Sequence, residues 1–187
     1  MGQALIVVDM QNGFLRHGNL ASEDCLAVLP AVVEEVEAAL DAGHRVIFTA
    51  DTHEVDDREF EIFPTHCVRG TDEAELADEL RGFLGRDNVH LIPKRRYSAM
   101  FETELDGLLH RFGITDVRIC GVCTDICVMH TTADLRNRDI AVTVVANATA
   151  TFDAPEHPAE QIREQTLAHM TGILGARVER AAAGNGS

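Results

Sequence analysis

ALIVVDM, residues 4–10, sets the fold class: five apolar residues run together before Asp9 interrupts them. A strand with one wet face alternates apolar and polar residues. An unbroken run belongs to a strand covered on both faces, the mark of a parallel sheet. The same pattern recurs in RVIFTAD (45–51), VHLIPK (89–94), VRICGV (117–122), AVTVVAN (141–147) and a short ARVE (176–179). Between these runs lie helical patterns at 25–42, closing on Gly43, at 73–83, at 102–111, closing on Gly113, at 125–138 and at 157–172. Strands alternating with helices predict an α/β chain, a three-layer α/β/α stack around a doubly wound, mainly parallel sheet of about six strands.

The 187 residues suit one domain, assigned to 1–180, with the tail AAAGNGS (181–187) expected to fray. No apolar run approaches the roughly 20 residues that span a bilayer. The opening MGQALIVVDMQNGF has no basic leader region, and Ile6 stands where a myristoylation signal wants Ser or Thr. The expectation is a cytoplasmic protein with no membrane partner, and an odd count of five cysteines fits reduced thiols. Net charge is −15, from 31 acidic and 16 basic residues, so no nucleic-acid partner is expected. The basic cluster PKRRY (93–97) is too small a patch to reverse that.

In open parallel sheets ligands bind beyond the carboxyl ends of the strands, where strand order reverses. Asp9, Asp51 and Lys94 stand at the ends of the first three strands, and Cys123 to Cys127 follow the fourth. Two carboxylates, an amine and a thiol therefore converge on one rim. The segment THEVDDREFEIFPTHCVRGT (52–71) breaks the rhythm. It is longer than most connections, and its two His, two Phe and one Pro argue for function over disorder.

Cys120, Cys123 and Cys127 crowd together and have four readings. Cys120-x-x-Cys123 has dithiol redox spacing, but Cys120 falls inside a strand rather than at an exposed helix start. A zinc or iron–sulfur cluster lacks a second cysteine pair. The three would also serve as small apolar fillers, Cys120 above all. The fourth reading makes Cys127 a nucleophile: Thr124 or Asp125 would cap the helix, and its dipole with Lys94 would favour a thiolate. His130, one turn along, is read as structural.

LIVVDMQNGF, DTH…FPTHCVRGT, PKRRYSAMF and GVCTDICVMHTTADL, in that order, resemble the isochorismatase-like cysteine hydrolases, and within them the nicotinamidases. The resemblance covers residues 4 to about 150 and implies a set of roles. Asp9, Lys94 and Cys127 would form the catalytic triad. A cis peptide between Val122 and Cys123 would turn the amides of Cys123 and Cys127 into an oxyanion hole. Asp51, His53 and His66 would hold one divalent metal, zinc first and iron or manganese next, with Glu59 preferred over Glu61 as a fourth ligand. Phe14 and Phe63 would sandwich a pyridine ring, with Tyr97 beside them. The implied activity is hydrolysis of nicotinamide, a step of NAD salvage and pyridine nucleotide synthesis; relatives acting on carbamoyl or maleamate-type amides are the alternative, and a thiol redox protein the distant one. A homo-oligomer is also implied. Phe63 stands where many relatives carry Trp, and Gly13 where they carry Asp.

Overall fold

A computed structural model describes residues 2–180; the tail expected at 181–187 lies outside the described residues. Six strands form one parallel sheet: β1 (Gly2–Val8), β2 (Arg45–Asp51), β3 (Val89–Lys94), β4 (Ile114–Val122), β5 (Ala141–Ala150) and β6 (Arg177–Glu179). Their order is β3-β2-β1-β4-β5-β6, so the chain winds outward one way and then the other, and the reversal falls between β1 and β4.

Both faces of the sheet are dry. Along β1, Ala4, Ile6 and Val8 enter one buried cluster and Leu5 and Val7 the other, which is why the run shows no polar alternation. Helices α1 (Asn12–Leu15), α2 (Glu23–Ala27), α3 (Leu29–Asp41) and α4 (Asp78–Arg81) add apolar residues to the Leu5 side. Helices α5 (Leu105–Arg111), α6 (Met129–Arg136) and α7 (Ala159–Gly172) add theirs to the Ile6 side.

Three expected helices differ in the structure, each for a local reason. The pattern at 25–42 breaks at Val28: Ser22 caps α2, and Pro30 opens α3, where a missing N–H costs nothing. The pattern at 73–83 yields only a 3₁₀ turn at Asp72–Ala74 and the short α4. Residues between them are drawn out to pair with the segment after β1, Leu76 bridging Gln11 and Ala77 N donating to Met10 O at 2.9 Å. The pattern at 125–138 opens as a π turn, Thr124–Val128, before α6 begins. The long segment 52–71 is closed on itself, with His53 bridging Val68 and a 3₁₀ turn at Arg58–Glu61.

At the reversal, β4 presses against β1. A Cβ on Gly121 would stand 2.1 Å from Val8 O, and its φ of +108° also requires glycine. This close approach brings the ends of β1 and β4 together, Asp9 on one and Cys123 on the other.

Candidate active site

Asp9, Lys94 and Cys127 meet in the interior. Lys94 Nζ lies 2.7 Å from Asp9 Oδ2, 3.1 Å from Asp51 Oδ1 and 3.4 Å from Cys127 Sγ. Thr49, on β2, donates its hydroxyl to Asp9 Oδ1 at 2.6 Å and orients that carboxylate. Asp9 is fully buried and holds a φ of +50°, a conformation rare outside glycine, which turns its side chain off the strand end. The peptide between Val122 and Cys123 is cis.

The electrostatics run against the thiolate expectation. Burial pushes the Cys127 thiol well above its usual range; Lys94 opposes this, but Asp9 and Asp51 reinforce it. Neither expected cap forms. Thr124 Oγ1 is 2.9 Å from Thr149 Oγ1, and Asp125 Oδ2 is 2.9 Å from His157 Nε2. A single π turn among two carboxylates does not supply what a capped helix would. These surroundings favour a thiol beside a carboxylate over a standing thiolate. Burial raises that Asp9 carboxyl too; Lys94 restrains the rise and Asp51 adds to it. For Lys94, burial is outweighed by Asp51 and Asp9, so the ammonium is secure.

Asp51 faces a second group. Asp51, His53, Glu59 and His66 are all buried, with ligand atoms within 4.8 Å of one another. His53 Nε2 and His66 Nε2 lie 2.9 and 3.2 Å from Asp51 Oδ2, and His53 Nε2 is 3.9 Å from Glu59 Oε1. The other ring nitrogens are held from behind. His66 Nδ1 donates to Pro64 O at 2.8 Å, and His53 Nδ1 is 3.2 Å from Asp57 Oδ2. The Pro64 carbonyl thereby leaves the His66 Nε2 lone pair free for a metal. Glu59 Oε2 has no hydrogen-bond partner, only the Arg96 guanidinium at 3.6 Å. Two imidazoles and two carboxylates converging in a buried space fit a divalent metal of the zinc class. Glu61 is exposed and pairs with Arg58 at 3.4 Å, outside the cluster.

A cavity of about 410 Å³ opens over both groups, lined among others by Phe14, Phe63, Tyr97, Cys123, Cys127 and Phe152. The rings of Phe14 and Phe63 lie 5.8 and 6.3 Å from that of His66, and Tyr97 is 6.4 Å from Phe63. Among the described residues the lining carries five carboxylates, Glu23, Asp24, Asp51, Glu59 and Asp153, and no Lys or Arg. Cys120 is fully buried in β4 among apolar neighbours, where burial raises its thiol. His130 is exposed and tied to its own helix, its Nδ1 2.7 Å from Ile126 O.

Sequence reasoning missed the residues that hold these groups in place. Gln11 clamps β2 to the loop after β1, its Oε1 accepting from Asp51 N at 2.6 Å and its Nε2 donating to Asp51 O at 2.9 Å. Thr49 hydrogen-bonds Asp9, while Asp57 and Arg96 set opposite charge beside His53 and Glu59 at 3.2 and 3.6 Å. Only Gln11 carried a signal, a polar residue just past a strand end in DMQNGF. Gly13 also gains a reason. A Cβ there would lie 2.9 Å from Cys67 Sγ and 3.0 Å from Glu73 O, so α1 packs too closely for any side chain.

A profile of the isochorismatase domain matches residues 3–173. The chain belongs to the isochorismatase family. As a member it is a hydrolase, and solved structures of the family superpose on 95% of it or more. Nicotinamidase from Bacillus subtilis is 34% identical with a TM-score of 0.87, covering 95% of this chain and 99% of its own. N-carbamoylsarcosine amidase from Thermoplasma acidophilum is 32% identical with a TM-score of 0.84, covering 100% of both chains. Pyrazinamidase of Pyrococcus horikoshii in complex with zinc is 28% identical with a TM-score of 0.84, covering 96% and 99%.

Proposed function

We propose that this isochorismatase-family hydrolase is a metal-dependent cysteine amidase that converts nicotinamide to nicotinate and ammonia through a covalent thioester. The observation that carries the reading is the buried Asp51–His53–Glu59–His66 cluster, of which Asp51, Glu59 and His66 line the same cavity as Cys127. A bound divalent metal, zinc by its donor set, would supply an anchor for the pyridine nitrogen. Phe14, Phe63 and Tyr97 would flank the ring and set the carboxamide over the sulfur.

The chain's own groups then do the chemistry. As Cys127 Sγ attacks the carbonyl carbon, Asp9 takes the thiol proton, so no standing thiolate is needed. Lys94 stays charged and holds Asp9 against the sulfur. The amides of Cys123 and Cys127 would receive the developing oxyanion. Asp9 passes its proton to the departing nitrogen, ammonia leaves and the thioester remains. Water, losing its proton to Asp9, cleaves the thioester to nicotinate and restores the thiol. The reaction belongs to NAD salvage in the cytoplasm.

The similarity to N-carbamoylsarcosine amidase supports a second reading, a small carbamoyl amide bearing a carboxylate. The lining weighs against it, because a substrate anion would meet five carboxylates and no Lys or Arg. Ammonia release from nicotinamide, N-carbamoylsarcosine and maleamate, measured side by side, separates the two. Turnover of nicotinamide alone supports the first reading, and turnover of the anions alone replaces it with the second.

A further inference from the structure

Phe152 and Asp153 line the cavity from the loop that leaves β5, and neither the ligand cluster nor the proposed chemistry uses them. That loop is unusually well fastened. Ala154 and His157 exchange backbone hydrogen bonds at 3.0 and 2.9 Å, and Asp153 Oδ1 accepts from Ala159 N at 2.9 Å as α7 begins. The His157 ring stacks on Phe152 almost parallel, centroids 4.1 Å apart and planes at 5°. Both ring nitrogens are engaged: Nδ1 is 2.9 Å from Phe152 O, and Nε2 is 2.9 Å from Asp125 Oδ2. A carbonyl and a carboxylate only accept, so the imidazolium, donating twice, satisfies both and adds charge to the stack. Asp125 lies in the π turn that carries Cys127. A single chain of contacts therefore runs from the turn of the sulfur, through His157, to an aromatic wall.

We propose that Phe152 bounds the substrate cavity and that His157, stacked on it and tied to Asp125, is the positioning residue that limits how large an amide can enter. The proposal rests on this cavity being the substrate site, but on no particular amide. A purely structural brace would hold the loop without affecting what reaches the sulfur.

The test uses the full chain and reads access to Cys127 directly. Purified wild type and the variants Phe152→Ala, Phe152→Tyr and His157→Ala are alkylated with iodoacetamide and, separately, with a bulky aryl maleimide. Fragment mass spectrometry distinguishes Cys127 from Cys123. The expected result is a ratio of bulky to small reagent rates raised about five- to tenfold by Phe152→Ala and less by His157→Ala, with Phe152→Tyr at the wild-type value. On whichever amide the wild type hydrolyses, KM should rise more than kcat falls. A ratio unmoved by Phe152→Ala overturns the wall. A ratio moved by Phe152→Ala but not by a folded His157→Ala overturns the positioning role. Alkylation needs no turnover, so a failure of nicotinamide as substrate is seen separately.

Discussion

Lys94 and Asp51 join the two halves of the site: Nζ stands 3.1 Å from Oδ1 of a carboxylate whose Oδ2 faces His53 and His66. Burial would raise the Asp51 carboxyl, but Lys94 and the two imidazoles hold it far below the usual carboxylate range. One buried ammonium thus bridges a carboxylate on the sulfur's side and one on the ligand cluster's side.

Removing that ammonium strands both carboxylates. Lys94→Met should lower stability by about 3–5 kcal/mol, the cost of breaking a buried ion pair from one side. Urea unfolding measures it, and an unchanged midpoint would show that these charges are solvated.

Metal content should follow the geometry of the cluster. His66→Ala and Glu59→Ala should emerge from purification depleted of metal by elemental analysis, whereas Glu61→Ala should match wild type. Asp57→Ala, which frees His53 Nδ1, should weaken metal affinity by about 10- to 100-fold. Full metal in His66→Ala would contradict the assignment.

Packing at α1 predicts a cost for the smallest possible addition. Gly13→Ala should destabilise by about 1–3 kcal/mol through overpacking against Cys67 and Glu73. A neutral result would mean that α1 shifts freely, and the position of Phe14 with it.

His157 gives a pH signature. Burial lowers its pKa, but the hydrogen bonds to Asp125 and the Phe152 carbonyl outweigh that and raise it. A raised folded-state pKa means that the contribution is complete below the unfolded value of about 6.5 and is lost as pH climbs through the folded one. The stability gap between wild type and His157→Gln should accordingly be widest below the unfolded value of about 6.5 and shrink as pH rises above it. A gap constant across that range would show that folding leaves the His157 pKa unshifted.

Much of the framework was legible because it rests on period and position. Unbroken apolar runs marked the buried strands, and Asp9, Asp51, Lys94 and Cys127 were found by asking what stands at strand ends. What stayed hidden depends on contacts distant in sequence. Residues 75–77 leave the helical pattern to pair with the segment after β1. The Cys127 thiol is raised by burial, and further by carboxylates brought from other strands, which no local reading of a helix start reveals. Phe152 carried no signal and His157 read as the first residue of a helical pattern, since only the fold lays them against the turn of Cys127.

The central claim is that Cys127 cleaves nicotinamide with help from a metal. Ammonia release from nicotinamide by the purified chain tests it most directly, with Cys127→Ala and a chelator-treated sample alongside. The expected result is turnover by the wild type, less than a few per cent of it in a folded Cys127→Ala, and loss on chelation that added zinc restores. Turnover that survives in Cys127→Ala would contradict the account.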